Sequence, residues 1–212
     1  MPNAAPGLTV LDHPLIDHKL AILRDTATRP VLFARTVREL AALMTWPATQ
    51  QLATRSIPVT TPLEAMTGRQ LARPIALMPI LRAGLGMVEG FRDVIPEAVI
   101  GHIGLFRDHD SLQPVSYYFK VPEPIADHDV LVLDPMLATG GSAAAAITRL
   151  KKAGTVRMLL CCLVAAPEGV ERVSRDHPDV PILTAALDRE LNANGYILPG
   201  LGDAGDRTFG TS

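Results

Sequence analysis

The segment from Val130 to Ser142 limits the possible folds of this chain more than any other part of it. It contains four branched apolar residues, an acid, a turn of small residues and two glycines, and an alanine-rich stretch follows. This order predicts a buried strand, a tight loop and a helix. Gly140 and Gly141 let the backbone approach a ligand, and the amino terminus of a helix favours negative charge. The segment therefore predicts a loop that binds phosphate.

Asp134 lies at the end of the predicted strand, where it can hold hydroxyls of a sugar attached to the phosphate. A phosphate and a sugar diol together indicate a phosphorylated ribose. Two competing phosphate motifs fail. The chain has no Gly-Lys-Ser/Thr end of a Walker A loop, and the glycine pair Gly84 and Gly86 is followed by Gly90, one residue too late for a dinucleotide fingerprint. An ATPase of the P-loop class and a Rossmann dehydrogenase are therefore rejected.

Composition narrows the classes of protein further. The 212 residues fit one domain, and 48% hydrophobic with 20% charged residues is typical of a globular protein with a large core. A net charge of −2 gives no basic footprint for nucleic acid. No apolar run approaches the roughly 20 residues that cross a bilayer, and the first residues lack the pattern of a signal peptide. We expect a cytoplasmic protein with neither a nucleic-acid nor a membrane partner.

Apolar residues at helical spacing predict two helices, Pro14 to Arg24 and Pro30 to Trp46. We expect Pro47 to end the second helix, because the residue before a proline avoids the helical region. One apolar stripe on this helix is predicted to be core or subunit interface; it consists of Phe33, Val37, Leu40 and Met44.

Strands and helices then alternate, which predicts an α/β fold with a mostly parallel sheet flanked by helices. The predicted strands are Ile75 to Leu81, Ala98 to Phe106, Val130 to Leu133, Val156 to Ala165 and Pro181 to Leu187, with Ser116 to Phe119 as one arm of a hairpin. The predicted helices run from a cap at Ser142 to Ala153 and from Pro167 to Asp176. We expect one domain over residues 1–212.

The adjacent cysteines Cys161 and Cys162 lie in a predicted strand, where neighbouring side chains point to opposite faces. They are therefore predicted to be two buried thiols without a mutual disulfide. None of the six histidines has the helical spacing or the cysteine partners of a zinc site, so we interpret them as polar loop residues.

Three predicted strand ends carry groups suited to a phosphorylated ligand, and ligands of open α/β sheets bind beyond the carboxyl ends of the strands. Arg82 can offer a bidentate guanidinium to pyrophosphate, Arg107 is a second anion ligand, and Asp134 opens the phosphate loop. The tail from Asn194 to Asp206 is rich in glycine and contains Asp203 as a fixed charge. It suits either a main-chain pocket for a planar base or a plain cluster of turns.

Several segments resemble the uracil phosphoribosyltransferases, a branch of the type I phosphoribosyltransferase superfamily. The resemblance runs in order along nearly the whole chain and rests on His13-Pro-Leu, Met78 to Met87, Asp134 to Ser142, Ala165 to Gly169, Gly195 to Asp206 and Phe209-Gly-Thr.

This resemblance implies transfer of the 5-phosphoribosyl group from phosphoribosyl pyrophosphate (PRPP) to uracil, which gives UMP and pyrophosphate. The catalytic residues that it implies are Arg82, Arg107 and Asp203. The PRPP-binding residues that it implies are Arg82, Arg107, Asp134, Pro135, Met136, Leu137, Ala138, Thr139, Gly140, Gly141, Ser142 and Asp203. The implied uracil-binding residues are Ile197, Gly202, Asp203 and Ala204.

The resemblance also implies parts and partners. Residues 1–50 would form N-terminal helices, residues 108–120 a flap, and residues 192–212 a base-binding hood. Mg²⁺ would be held mainly through PRPP, with few protein ligands. A homodimer or a higher homo-oligomer is expected, and GTP is a possible effector.

Two positions depart from the family pattern. Pro135 follows Asp134 where many type I enzymes have a second acid, as is usual in the uracil branch. Ser116 stands where the family more often has a second proline, which leaves the stiffness of the flap open. Two other functions stay open, transfer to a purine and a PRPP-sensing regulator that binds nucleic acid. Asp203 is a candidate base for the uracil N1 proton or, equally, a residue that positions the substrate.

Overall fold

The structure, a computed structural model, describes residues 7–107 and 114–211. The helices in these ranges are α1 (Pro14–Arg24), α2 (Pro30–Thr49), α3 (Leu85–Arg92), α4 (Gly141–Lys152), α5 (Pro167–Asp176) and α6 (Ala204–Phe209). The strands are β1 (Leu8–Val10), β2 (Thr54–Thr60), β3 (Ala65–Leu71), β4 (Ile75–Leu81), β5 (Val99–Ile100), β6 (His102–Arg107), β7 (Pro114–Lys120), β8 (Asp129–Leu133), β9 (Met136–Leu137), β10 (Arg157–Ala165), β11 (Ile182–Leu187), β12 (Glu190–Leu191) and β13 (Ile197–Leu198). Among these residues no helix is both long and apolar enough to cross a membrane.

A central sheet organises the fold. Its strands run in the order β1-β11-β10-β8-β4-β6-β7, with β5 beside β4 and β9 beside β10. All of these pairs are parallel except β6 with β7, which are antiparallel. The predicted α/β fold with a mostly parallel sheet is confirmed.

Apolar side chains bury the sheet on both faces. Leu131 and Leu133 of β8 belong to the cluster packed by α1, α2 and α3, whereas Val130 and Val132 belong to the cluster packed by α4 and α5. A strand covered on both faces needs apolar residues at every position. This explains the uninterrupted apolar run before Asp134.

Two predictions about side chains are confirmed. Cys161 and Cys162 are both fully buried and free, and they belong to the clusters on opposite faces of the sheet. The apolar stripe of α2 is fully buried in the core, so the core alternative is right and the subunit-interface alternative is wrong.

The expected end of α2 is wrong. The helix continues through Pro47 to Thr49, and Ala48 is buried in the core one turn after Met44. The Thr49 hydroxyl also donates to the carbonyl of Thr45 at 2.8 Å. Burial of this last turn outweighs the local preference of the residue before proline.

Other elements also differ from expectation. The predicted strand from Ala98 to Phe106 is split into β5 and β6 at Gly101, where an added Cβ would lie 2.5 Å from the Lys120 carbonyl oxygen. Between α2 and β4 the chain forms an antiparallel hairpin, β2 with β3, that the helical and parallel patterns did not predict. Residues 192–212 contain β13, which pairs with β12 just before them, and the short helix α6, rather than loops alone.

Candidate active site

Parallel pairing brings the strand ends that carry predicted site residues to one edge of the sheet. Pro79 of β4 aligns with Leu133 of β8, so Arg82 and Asp134 emerge at the same edge. β6 is also parallel to β4, with Leu81 opposite Gly104, and its last residue, Arg107, therefore ends at this edge too. The carboxyl edge of the sheet thus gathers the three strand ends that the sequence indicated.

The loop after β8 turns sharply into α4 at Gly140. This residue is the N-cap of the helix, with φ at +75°, a conformation that favours glycine. An added Cβ would also lie 2.8 Å from the Gly169 carbonyl oxygen in α5. The prediction that Ser142 caps the helix was wrong, because the helix has already begun at Gly141.

Asp134 is a half-buried carboxyl at the start of this loop. The Met136 amide donates to its Oδ1 at 3.4 Å, and its own amide donates to the Cys161 carbonyl at 3.1 Å. Burial raises the pKa of Asp134 to about 7, and the Met136 amide opposes that rise. Hydroxyl groups that donate to this carboxylate would favour its charged form.

A cavity of 210 Å³ joins the loop to Arg82. Its walls are the β4 end with the residues after it, Ile80, Leu81, Arg82 and Ala83, together with Asp134 and the segment Met136, Leu137, Ala138, Thr139, Gly140, Gly141, Ser142 and Ala143. Pro135 is buried outside this lining, and its carbonyl accepts the amides of Leu163 and Val164 in β10. The cavity has the cationic side chain and the amide-rich loop that a phosphorylated sugar needs.

Arg82 is 59% exposed and is tied to the end of the chain. Its Nη2 lies 3.1 Å from Asp206 Oδ1 in α6, and its Nη1 lies 3.4 Å from Thr211 Oγ1. The Leu81–Arg82 peptide bond is cis. Arg82 therefore lies between the phosphate loop and the tail.

The predicted base-binding residues form one continuous segment beside this cavity. Ile197 is buried in β13, and the chain then turns through Gly200 and Gly202, with φ values of +62° and +78°. Asp203 is the N-cap of α6, and its Oδ1 accepts the Asp206 amide at 2.9 Å. Ala204, the first residue of α6, is buried.

This tail segment lies close to the two other parts of the site. A Cβ placed on Gly195 would lie 3.6 Å from Thr139 Cγ2 of the phosphate loop, and one on Gly205 would lie 3.8 Å from Ala83 Cβ. Ile197 and Asp203 lie outside the lining of the 210 Å³ cavity. The tail is thus a neighbour of the cavity on two sides.

Sequence reasoning missed the residues that hold this tail in place. Arg24 of α1 donates to both carboxylate oxygens of Asp188 and to the Gly200 carbonyl, and Asp188 also accepts the Gly200 amide at 2.9 Å. Arg207 donates to the carbonyls of Leu23 and Leu201. The partners of Arg24 lie more than 160 residues away in the sequence, and no local pattern indicates such a contact.

The ligands for a divalent cation near the cavity are few. Among the described residues there is no group of three histidine, cysteine, aspartate or glutamate side chains that could hold a metal. Asp134 is the carboxylate in the cavity lining. One carboxylate combined with substrate oxygens and water fits Mg²⁺, which keeps much of its water shell in proteins.

Comparisons with known proteins agree along nearly the whole chain. A model of the family described as uracil phosphoribosyltransferase matches residues 10–211. The uracil phosphoribosyltransferase of Acholeplasma laidlawii is 58% identical over 204 residues, which cover 96% of this chain and 98% of that protein. That of Bacillus cereus strain B4264 is 53% identical over 205 residues, with 96% and 98% covered.

Solved structures support the same fold. The AQ2163 protein of Aquifex aeolicus superposes with a TM-score of 0.91 at 35% identity and covers 97% of this chain and 99% of its own. A hypoxanthine phosphoribosyltransferase of Staphylococcus aureus reaches a TM-score of 0.51 at 12% identity, over 74% of this chain and 76% of its own. The second likeness concerns the fold alone.

Proposed function

The chain belongs to the uracil phosphoribosyltransferase family, and from this premise we propose which of its residues carry the reaction. It is a pentosyltransferase that transfers the 5-phosphoribosyl group from PRPP to uracil and gives UMP and pyrophosphate, a step of pyrimidine salvage. The fold is that of the type I phosphoribosyltransferases. The purine and regulator alternatives have no specific observation in their favour.

The observation that carries the assignment of residues is the shared cavity of Arg82 and the phosphate loop. The loop amides at Gly140 and Gly141 would hold the 5-phosphate, and Asp134 would accept the ribose hydroxyls. Arg82 lies across the same cavity, where the pyrophosphate would leave. The 5-phosphate end of PRPP would then bind the loop amides, and its pyrophosphate end would bind the Arg82 guanidinium.

These residues would promote the reaction mainly by electrostatic stabilisation. As pyrophosphate leaves, positive charge develops at C1 of the ribose and negative charge develops on the leaving group. Arg82, together with Arg107 at the end of β6, would stabilise that negative charge, and the fixed position of both substrates removes much of the entropic barrier. We assign Mg²⁺ to PRPP oxygens, water and the Asp134 carboxylate, where it would neutralise pyrophosphate charge.

We assign uracil to the segment of Ile197, Gly202, Asp203 and Ala204. The left-handed turns at Gly200 and Gly202 support this assignment, because they direct main-chain groups that can pair with a planar base. Asp203 Oδ1 is used by the Asp206 amide. The other oxygen, Oδ2, is then the one to orient uracil or PRPP or to accept the N1 proton.

We also propose the parts that the family resemblance implies. The single domain comprises the N-terminal helices of residues 1–50, a flap at residues 108–120 and a base-binding hood at residues 192–212. Residues 108–113 of this flap lie outside the described part of the chain. The hydrogen bonds of Arg82 with Asp206 and Thr211 support the place of the hood beside the site.

Exposed apolar side chains bear on the assembly of the protein. Large apolar side chains project from α2 and from the β2–β3 hairpin, among them Val31 (86% exposed), Trp46 (74%) and Leu63 (94%). Such side chains favour a homodimer or a higher homo-oligomer. The proposal that GTP is an effector rests on the family resemblance. We also propose a cytoplasmic location, because two free buried cysteines suit a reducing compartment.

The deciding experiment measures pyrophosphate release from PRPP and Mg²⁺ with uracil, cytosine, adenine, guanine and hypoxanthine in turn. We expect turnover with uracil alone and its loss when EDTA removes the cation. Turnover with a purine instead would keep the assignment of the PRPP loop and reject that of the tail. Binding of PRPP without turnover on any base would favour the regulator. The same assay with and without GTP tests activation.

A further inference from the structure

Asp206 contacts two parts of the proposed site at once. Its carboxylate Oδ1 lies 3.1 Å from Arg82 Nη2 and 2.6 Å from Thr211 Oγ1. Its amide donates to Asp203 Oδ1 at 2.9 Å. The side chain of Asp206 therefore faces the arginine assigned to pyrophosphate, while its backbone holds the aspartate assigned to uracil.

The Arg82 guanidinium has donors to spare. A guanidinium carries five N–H groups, and the two contacts with Asp206 and Thr211 use one on each terminal nitrogen. The remaining donors are available to a ligand in the cavity that Arg82 lines. Without an anchor, a side chain that is 59% exposed would sample several rotamers.

We propose that Asp206 is a positioning residue for this reaction: its carboxylate holds the Arg82 guanidinium at the cavity and fixes it relative to the loop that carries Asp203. The proposal rests on the assignment of Arg82 to PRPP. It gives the tail a second task besides holding the base, because the same turn of α6 fixes a group that acts on the leaving pyrophosphate.

The charge of Asp206 makes this role testable. The Thr211 hydroxyl and the Arg82 guanidinium hold the pKa of Asp206 below its usual range, so the group is an anion at neutral pH. An anion near bound pyrophosphate opposes binding by charge alone. Loss of the anion would therefore lower the KM for PRPP if charge dominated, and would raise it if positioning dominated.

The test compares Asp206→Ala and Asp206→Asn by steady-state kinetics. For Asp206→Ala we expect the KM for PRPP to rise about 5- to 30-fold, the effect of freeing one long side chain. Asp206→Asn keeps an acceptor oxygen and should recover part of this loss. The KM for uracil at saturating PRPP should change less than the KM for PRPP. The matched control is Asp93→Asn, which alters an exposed aspartate that is paired with Arg38 and is distant in sequence from Asp206. This control should leave the KM for PRPP and the KM for uracil unchanged.

A double-mutant cycle separates positioning from a general structural effect. If Asp206 acts through Arg82, Asp206→Ala should add little to the loss already caused by Arg82→Ala. An equal further loss in the Arg82→Ala background, or a lower KM for PRPP in Asp206→Ala, would overturn the proposal. Urea unfolding of each variant confirms that the compared proteins are folded. If PRPP kinetics are impaired in Arg82→Ala but normal in Asp206→Ala, only the positioning role of Asp206 is rejected. If PRPP kinetics are normal in Arg82→Ala, the assignment of Arg82 to PRPP is rejected.

Discussion

Arg24 and Asp188 form a two-point ion pair, with Nη1 and Nη2 of the arginine 2.8 and 2.7 Å from the two carboxylate oxygens. The carboxylate of Asp188 is only 5% exposed. The pair joins the first helix to the turn at Gly200, since both side chains also bond to that glycine. The amino-terminal part of the chain thus fixes the segment proposed to bind uracil.

Loss of Arg24 should therefore damage stability and uracil binding together. Arg24→Ala leaves the Asp188 carboxylate buried without its cation, so we expect a loss of about 3–5 kcal/mol in the free energy of unfolding in urea. The KM for uracil should rise in the same variant. Arg35→Ala is the control, because it breaks an exposed pair with Glu39 and should cost less than about 1 kcal/mol. Equal effects of the two changes would contradict the supporting role of Arg24.

Loss of Arg82 should act on PRPP. For Arg82→Ala we expect kcat/KM for PRPP to fall about 10²- to 10³-fold, the usual effect of removing one group that stabilises developing charge. The measurement is pyrophosphate release at varied PRPP and saturating uracil. Arg38→Ala, which removes an exposed arginine paired with Asp93, serves as the control. Unchanged kinetics in Arg82→Ala would remove this residue from the site.

Gly140 should not tolerate a side chain. Gly140→Ala has to adopt a positive φ and also places a Cβ 2.8 Å from the Gly169 carbonyl oxygen. We expect a loss of about 1–3 kcal/mol in the free energy of unfolding and weaker PRPP use. Gly154→Ala is a matched control, because that residue has φ at +97° but no atom within 4 Å of the added Cβ. The difference in unfolding free energy between the two variants in urea measures the steric part of the loss in Gly140→Ala. If Gly140→Ala used PRPP as well as Gly154→Ala does, a role of the tight turn in PRPP binding would be contradicted.

Asp134 should make stability depend on pH. Its pKa is about 7 in the folded protein, above the roughly 3.9 of an unfolded aspartate. The folded protein therefore holds this proton more tightly, and the contribution to stability is present at low pH and is lost as pH rises to about 7. Between pH 5 and pH 8 we expect the free energy of unfolding of the wild type, relative to Asp134→Asn, to fall by about 2–3 kcal/mol. Urea unfolding of both proteins at the two pH values checks this, and parallel behaviour would mean that the carboxyl titrates normally.

Local patterns predicted much of the fold. The bounds of α1, β4 and α5 match the predicted segments Pro14 to Arg24, Ile75 to Leu81 and Pro167 to Asp176. The helices α1 and α5 begin with a proline, and β4 is a continuous apolar run. Both features are strong short-range signals. The phosphate loop was also recognisable, because its glycines and Asp134 lie in one short segment of the sequence.

The elements that local patterns missed depend on distant partners. β1 has only three residues and is a strand because it pairs with Ile182 to Thr184 of β11. α6 has six residues, too few to be stable alone, and packs against α2. Pro47 predicts a helix end, because the burial of Ala48 that prolongs the helix depends on distant residues and not on its neighbours in the sequence.

The sequence by itself determined the chemistry of this protein: which residues are apolar, where a glycine loop follows a strand, and which acids and arginines stand at strand ends. These features are local, so spacing and residue type suffice to find them. The tertiary structure alone decided that Arg82 meets Asp206 and that Arg24 meets Asp188, pairs 124 and 164 residues apart. Such contacts form because the sheet order and the packing of helices fix the relative positions of remote segments, and no pattern within one segment contains that information.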